Sequence, residues 1–176
     1  MDEQAQPDTL NEIGVLKRRE IEARIVAPLL ERLADEYGAG VYEIAADTIA
    51  RVARQQGRSM AAAADDDSLP AFAAGLAAFS QDGAMDSEIV ELNDDTFAFD
   101  VTRCGYADMY RALGLAELGA TMSCNRDGSL IEGFNPNVEF TRTKTIMQGD
   151  DHCDFVFRLR DTPVSVTERP DADPDS

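Results

Sequence analysis

The chain has 176 residues, 44% of them apolar, and a formal net charge of −18. That length suits one domain with a real core. The acidic excess argues against nucleic acid or an anionic membrane as partner, because phosphate binding needs clustered Lys and Arg, and no apolar run reaches transmembrane length.

Residues 1–9 read as a disordered, solvated acidic tail. Residues 10–37 read as a long helix with Ile21, Ile25, Leu29 and Leu33 on an apolar face and Arg18, Glu22, Arg32, Asp35 and Glu36 opposite. Pro28 is expected to kink this helix or to join two helices, and Gly38 to cap it. A second helix is expected over residues 41–56, with Ile44, Thr48, Ile49 and Val52 on one face and a stop at Gly57. Residues 61–67 read as loop. Ser68 is a good N-cap for a third helix over residues 69–79.

The period then changes. Residues 87–92 and 96–102 alternate polar and apolar around Asn93-Asp94-Asp95, which predicts a β-hairpin. Residues 105–113 and 116–132 return to helix. Residues 138–147 and 152–160 form a second expected hairpin around 148–151, and residues 161–176 a second acidic tail. The expected fold class is α+β: a helical N-terminal half packed on an antiparallel sheet of about four strands with two inserted helices, as a single domain over residues 10–160.

The chemistry concentrates between Thr102 and Phe157, which hold all three cysteines and the only histidine. Three cysteines cannot all pair within one chain, and the N-terminus has no secretory apolar region, so reduced thiols in a cytoplasm are expected. Cys104 ends a strand and opens a helix, where unpaired amides and the helix dipole lower a thiol's pKa. Cys124 is predicted within a helix with Asp127 one turn on, on the same face. Cys153 shares a strand face with Phe155, Phe157 and Leu159, the pattern of a core cysteine. His152 stands beside Asp150, Asp151 and Asp154, which makes it a candidate base. Arg142 and Lys144 are expected on one face of a strand and Thr141, Thr143 and Thr145 on the other; in so acidic a chain Arg142 is a candidate partner for a substrate carboxylate. Gaps of 20 and 29 residues between cysteines are unlike the paired C-x-x-C ligands of structural zinc. There is no P-loop, G-x-G-x-x-G or G-x-S-x-G.

Several segments, in this order, resemble the L-2-amino-thiazoline-4-carboxylic acid hydrolase family: Arg18-Arg19-x-Ile21-Glu22-Ala23-Arg24 with Ala27-Pro28-Leu29, Cys104-x-Tyr106-Ala107-x-Met109-Tyr110, Leu118-Gly119, Ser123-Cys124-Asn125-Arg126-Asp127, Gly133-Phe134-Asn135-Pro136, Thr141-Arg142-Thr143-x-Thr145 and Gly149-Asp150-Asp151-His152-Cys153-Asp154-Phe155. The likeness runs from about Arg18 to Arg158. Gly105, where proline is expected in many relatives, departs from it. The resemblance implies ring-opening hydrolysis of a cyclic isothiourea to an N-carbamoyl cysteine. Such a reaction needs a nucleophile at C2, a carboxylate near the amidinium and a proton for the departing thiolate.

On that reading Cys124 is the first candidate nucleophile and Cys104 the second, Asp127 contacts the amidinium, and His152 is the acid/base. Tyr106, Asn125, Arg126, Arg142, Thr143 and Cys153 complete the expected site around a small-molecule substrate, with no cofactor. Two alternatives stay open. One is a zinc hydrolase with Cys104, Cys124 and Cys153 converging on the metal. The other is a non-catalytic binding or sensor domain. A homo-oligomer is left open.

Overall fold

The computed structural model describes residues 13–161. Both expected acidic tails lie outside the described residues, apart from Asp161.

Helix α1 spans Val15–Tyr37 and α2 spans Gly40–Ala64. Helix α1 continues as one helix through Pro28, so the expected join between two helices is absent; Pro28 and Arg24 are both exposed, where solvent can take the carbonyl freed by the missing N–H. Gly38 caps α1 as expected, its N–H donating to the carbonyl of Ala34 at 2.8 Å with φ 86°. The buried face of α1 is a correction to the sequence reading. It consists of Val15, Arg19, Ala23, Ala27 and Leu30, whereas Ile25 is 65% exposed and Leu29 54%. Small side chains at four-residue spacing let α1 lie close to its neighbours, and that closeness outweighs the larger area of the isoleucine stripe.

Helix α2 runs well past the expected stop at Gly57, and the Ala-rich run to Ala64 extends it. Gly57 is there for space. A Cβ on it would lie 2.0 Å from the carbonyl oxygen of Leu130, and a Cβ on Gly133 would lie 2.0 Å from that of Arg54. The two helices therefore cross backbone against backbone. Arg54 Nε reinforces the crossing by donating to Glu132 at 2.7 Å.

Ser68 caps α3 (Leu69–Leu76) by accepting from the N–H of Ala71. A 3-10 segment, Ala77–Gly83, follows it, broken by a kink at Gln81 and Asp82. Strands β1 (Met85–Leu92) and β2 (Thr96–Cys104) make the first expected hairpin, closed by the side chain of Asn93, which accepts from the N–H groups of Asp95 and Thr96. Helix α4 covers Gly105–Ala112. The expected single helix over 116–132 is split into α5 (Ala116–Gly119), a π turn (Ala120–Cys124) and α6 (Arg126–Phe134). The widened turn is marked by the N–H of Asn125 reaching five residues back to the carbonyl of Ala120.

Strands β3 (Val138–Thr141) and β4 (Cys153–Leu159) pair antiparallel, Val138 with Leu159 and Thr141 with Val156. The sheet order is β1-β2-β4-β3. The second hairpin is shorter than expected, because aspartates take the backbone amides after Thr141. Asp154 accepts from the N–H groups of Thr143 and Lys144, and Asp150 from that of Thr145. The architecture is thus the expected α+β: helices on a four-stranded antiparallel sheet, around a core that includes Phe72, Phe97, Tyr110, Ile131 and Phe157. No helix of the described residues is long and apolar enough to cross a membrane.

Candidate functional site

Between the sheet and the helices lies a cavity of about 370 Å³. Cys104, Cys124 and Cys153 all line it, with Tyr106, Arg126, Asp127 and Arg142. The fold therefore gathers three thiols spread over 49 residues of sequence, as a single site requires.

The local structure explains each position. Cys104 is the last residue of β2 and the N-cap of α4. The amides of Tyr106 and Ala107 face its sulfur and pull its pKa down, against the larger upward push of burial; neither meets the geometry of a cap hydrogen bond. Cys124 ends the π turn. Burial, with Asp127 adding to it, pushes its thiol up to about 12. Cys153 is buried at the start of β4, accepts from the N–H of Ile146 at 3.2 Å, and is also raised by burial. All three resting thiols are thus shifted toward the neutral form, and backbone amides oppose that shift at Cys104 and Cys153 but not at Cys124.

Asp127 opens α6. Burial raises its carboxyl from 3.8 to about 6, against the lowering pull of Arg142. Arg142 donates from Nη1 to Asp127 and from Nη2 to the carbonyl oxygen of Cys124 at 3.3 Å. Its guanidinium carbon lies 5.6 Å and 5.1 Å from the ring centroids of Phe140 and Phe155. Arg126 is different. Among the described residues its hydrogen-bond partner is the neutral amide of Gln56, at 3.3 Å. Burial and the nearby Arg19 lower its pKa to about 10. An anion beside it would relieve both effects.

Three other expected site residues lie elsewhere. His152 lines neither this cavity nor a second one beside it; its Nδ1 pairs with Asp151 Oδ1 at 2.7 Å in the β3–β4 connection. Thr143 is exposed, and its hydroxyl donates to Asp154 at 2.6 Å. Asn125 lines the second cavity, of about 290 Å³, which shares Cys124 and Arg142 with the first; its Nδ2 donates to the carbonyl of Ala46.

Among the cavity residues that went unassigned in the sequence, two carry charged or amide side chains, Arg19 and Gln56. Arg19 is buried and bound to Glu22 through both carboxylate oxygens. The four-residue run Val15, Arg19, Ala23, Ala27 was the signal for it. Among the described residues no group of three or more His, Cys, Asp or Glu side chains is placed to hold a metal ion.

A family model described as L-2-amino-thiazoline-4-carboxylic acid hydrolase matches residues 18–157. No curated protein sequence matches. Among solved structures the chain is similar to a trafficking protein particle complex subunit 3 from Naegleria fowleri covalently bound to palmitic acid, with TM-score 0.50, 12% identity, and coverage of 85% of this chain and 99% of that one. It is also similar to the phenol-responsive sensory domain of the transcription activator PoxR with phenol, with TM-score 0.52, 14% identity, and coverage of 76% and 72%. At such identities these likenesses show the fold alone.

Proposed function

The chain belongs to the L-2-amino-thiazoline-4-carboxylic acid hydrolase family, and we propose that it opens a small anionic cyclic isothiourea or thiazoline, or a related C–N or C–S compound, through a cysteine nucleophile. One observation carries this reading: the same cavity is lined by three thiols, a carboxyl shifted toward neutral pH, and a guanidinium held by a neutral partner.

Arg126 receives the substrate carboxylate through its planar fork, with Arg19 adding positive potential. Cys104 attacks C2. It takes precedence over Cys124, the first candidate from sequence, because helix-terminus amides favour its thiolate. Asp127 accepts the thiol proton, directly or through water, and its pKa near 6 suits that work around neutral pH. The C2–S bond then breaks, and Asp127 returns the proton to the departing sulfur. Water adds to the carbon now bound to Cys104, Asp127 takes its proton, and the enzyme thiol leaves. The sum is substrate plus water giving an N-carbamoyl amino thiol. Asp127 thus takes the role that the sequence gave to His152. Arg142 holds Asp127 and the Cys124 turn in place, and no cofactor enters the sequence of steps.

Steady-state assay with 2-amino-thiazoline-4-carboxylate, following the N-carbamoyl product by chromatography, tests the reading. Turnover supports it. Saturable binding without turnover by any thiazoline would favour the binding or sensor alternative.

A further inference from the structure

The cavity is longer and more apolar than a single small heterocycle needs. Its charged and amide groups come from α1, α2, α6 and the segment after β3: Arg19, Gln56, Arg126, Asp127 and Arg142. Most of its apolar lining comes from other elements, α3 and the turn after it (Leu76, Phe79), β1 (Met85, Ile89) and β2 (Phe97, Phe99). From β2 alone, residues from Phe97 to Cys104 line it, a reach on the order of 20 Å at ~3.3 Å per residue. An apolar cavity of about 150 Å³ already holds a benzene-sized guest, and this one has about 370 Å³. Ser87 and Ile89 on the rim are exposed, so a ligand could enter past β1.

We propose that the substrate is amphipathic: an anionic head at Arg126 and an apolar tail, larger than benzene, lying along Phe97 and Phe99 between β2 and α3. The chemistry of the head rests on the hydrolase reading; the tail rests on the shape and lining of the cavity.

Titration calorimetry with butanoate, octanoate and dodecanoate, kept below micellar concentrations, tests the tail without turnover. Each added methylene should tighten Kd by roughly fourfold until the apolar arm is full. Ala73→Phe and Leu76→Trp, which fill the arm from α3, should each flatten that dependence. Arg126→Met should weaken all three ligands alike. Circular dichroism shows which variants are folded. A wild-type affinity indifferent to chain length, or a dependence unchanged in a folded arm variant, would overturn the proposal. Chain-length dependence without turnover of any thiazoline would keep the tail and sink the hydrolase reading. Turnover of the tail-less compound without chain-length dependence would do the reverse.

Discussion

The guanidinium of Arg142 joins Asp127 to the π turn, donating to the Asp127 carboxylate and to the carbonyl oxygen of Cys124. Both arms of its fork are committed within the protein, so the proposed mechanism uses Arg142 as a positioning residue in place of the carboxylate receptor that the sequence suggested. That mechanism gives the carboxylate to Arg126. Arg126→Met should raise KM for a carboxylate substrate roughly 10- to 100-fold, the equivalent of one lost charged hydrogen bond, with a smaller change in kcat. Arg142→Lys should lower kcat more than it raises KM. Steady-state kinetics on both variants check the assignment, and the opposite split would return the carboxylate to Arg142.

Asp127 makes stability depend on pH in a defined direction. Its folded pKa is raised, from 3.8 to about 6, so its contribution is fully present below about pH 4 and is lost as pH rises through about 6. The full shift corresponds to roughly 3 kcal/mol. Because 31% of the side chain is open to the cavity, about half of that is expected. Denaturant unfolding of wild type and Asp127→Asn between pH 4 and 7 should show the variant gaining on wild type by ~1–2 kcal/mol as pH rises. A pH-independent difference would place the carboxyl pKa at its ordinary value. The same group should give kcat/KM a limb near pH 6, with activity lost on the acid side.

His152 is paired with Asp151 outside the cavity. His152→Gln should therefore leave kcat/KM within about threefold, far from the 10²- to 10⁴-fold typical of a lost acid/base. A loss on that larger scale would bring the imidazole back into the mechanism.

Much of this was legible in the residues. The alternation around Asn93-Asp94-Asp95 marked the first hairpin because that turn satisfies its own amides. The three thiol-bearing clusters pointed to one cavity because they hold all the cysteines and the only histidine. What stayed hidden depended on tertiary partners. Gly57 reads locally as a helix stop, and nothing near it in sequence announces the carbonyl of Leu130. Arg19 reads as one more surface cation until Ala23 and Ala27 are seen to bury its face of α1. Arg142 reads as the available cation until Asp127 is found to occupy it. The β3–β4 connection misled because threonines and a lysine suited a strand, while aspartates further along the chain took their amides.

The crossing of α2 and α6 carries Arg126 and Asp127 into position, and it tolerates no side chain at its closest point. Gly57→Ala and Gly133→Ala should each destabilise the fold by about 1–3 kcal/mol or more, as overpacking does, despite alanine's better helix propensity. Thermal unfolding measures this. A neutral or stabilising result at either position would show that the helices can separate at little cost.

Comparison of Cys104→Ser with Cys124→Ser, both verified as folded, tests the central claim most directly, through kcat/KM on 2-amino-thiazoline-4-carboxylate. Cys104→Ser is expected to lose activity by roughly a thousandfold or more, as removal of a covalent nucleophile does, and Cys124→Ser to stay within about tenfold of wild type. An active Cys104→Ser protein, or one in which Cys124→Ser alone is dead, would contradict the assignment of Cys104 as nucleophile.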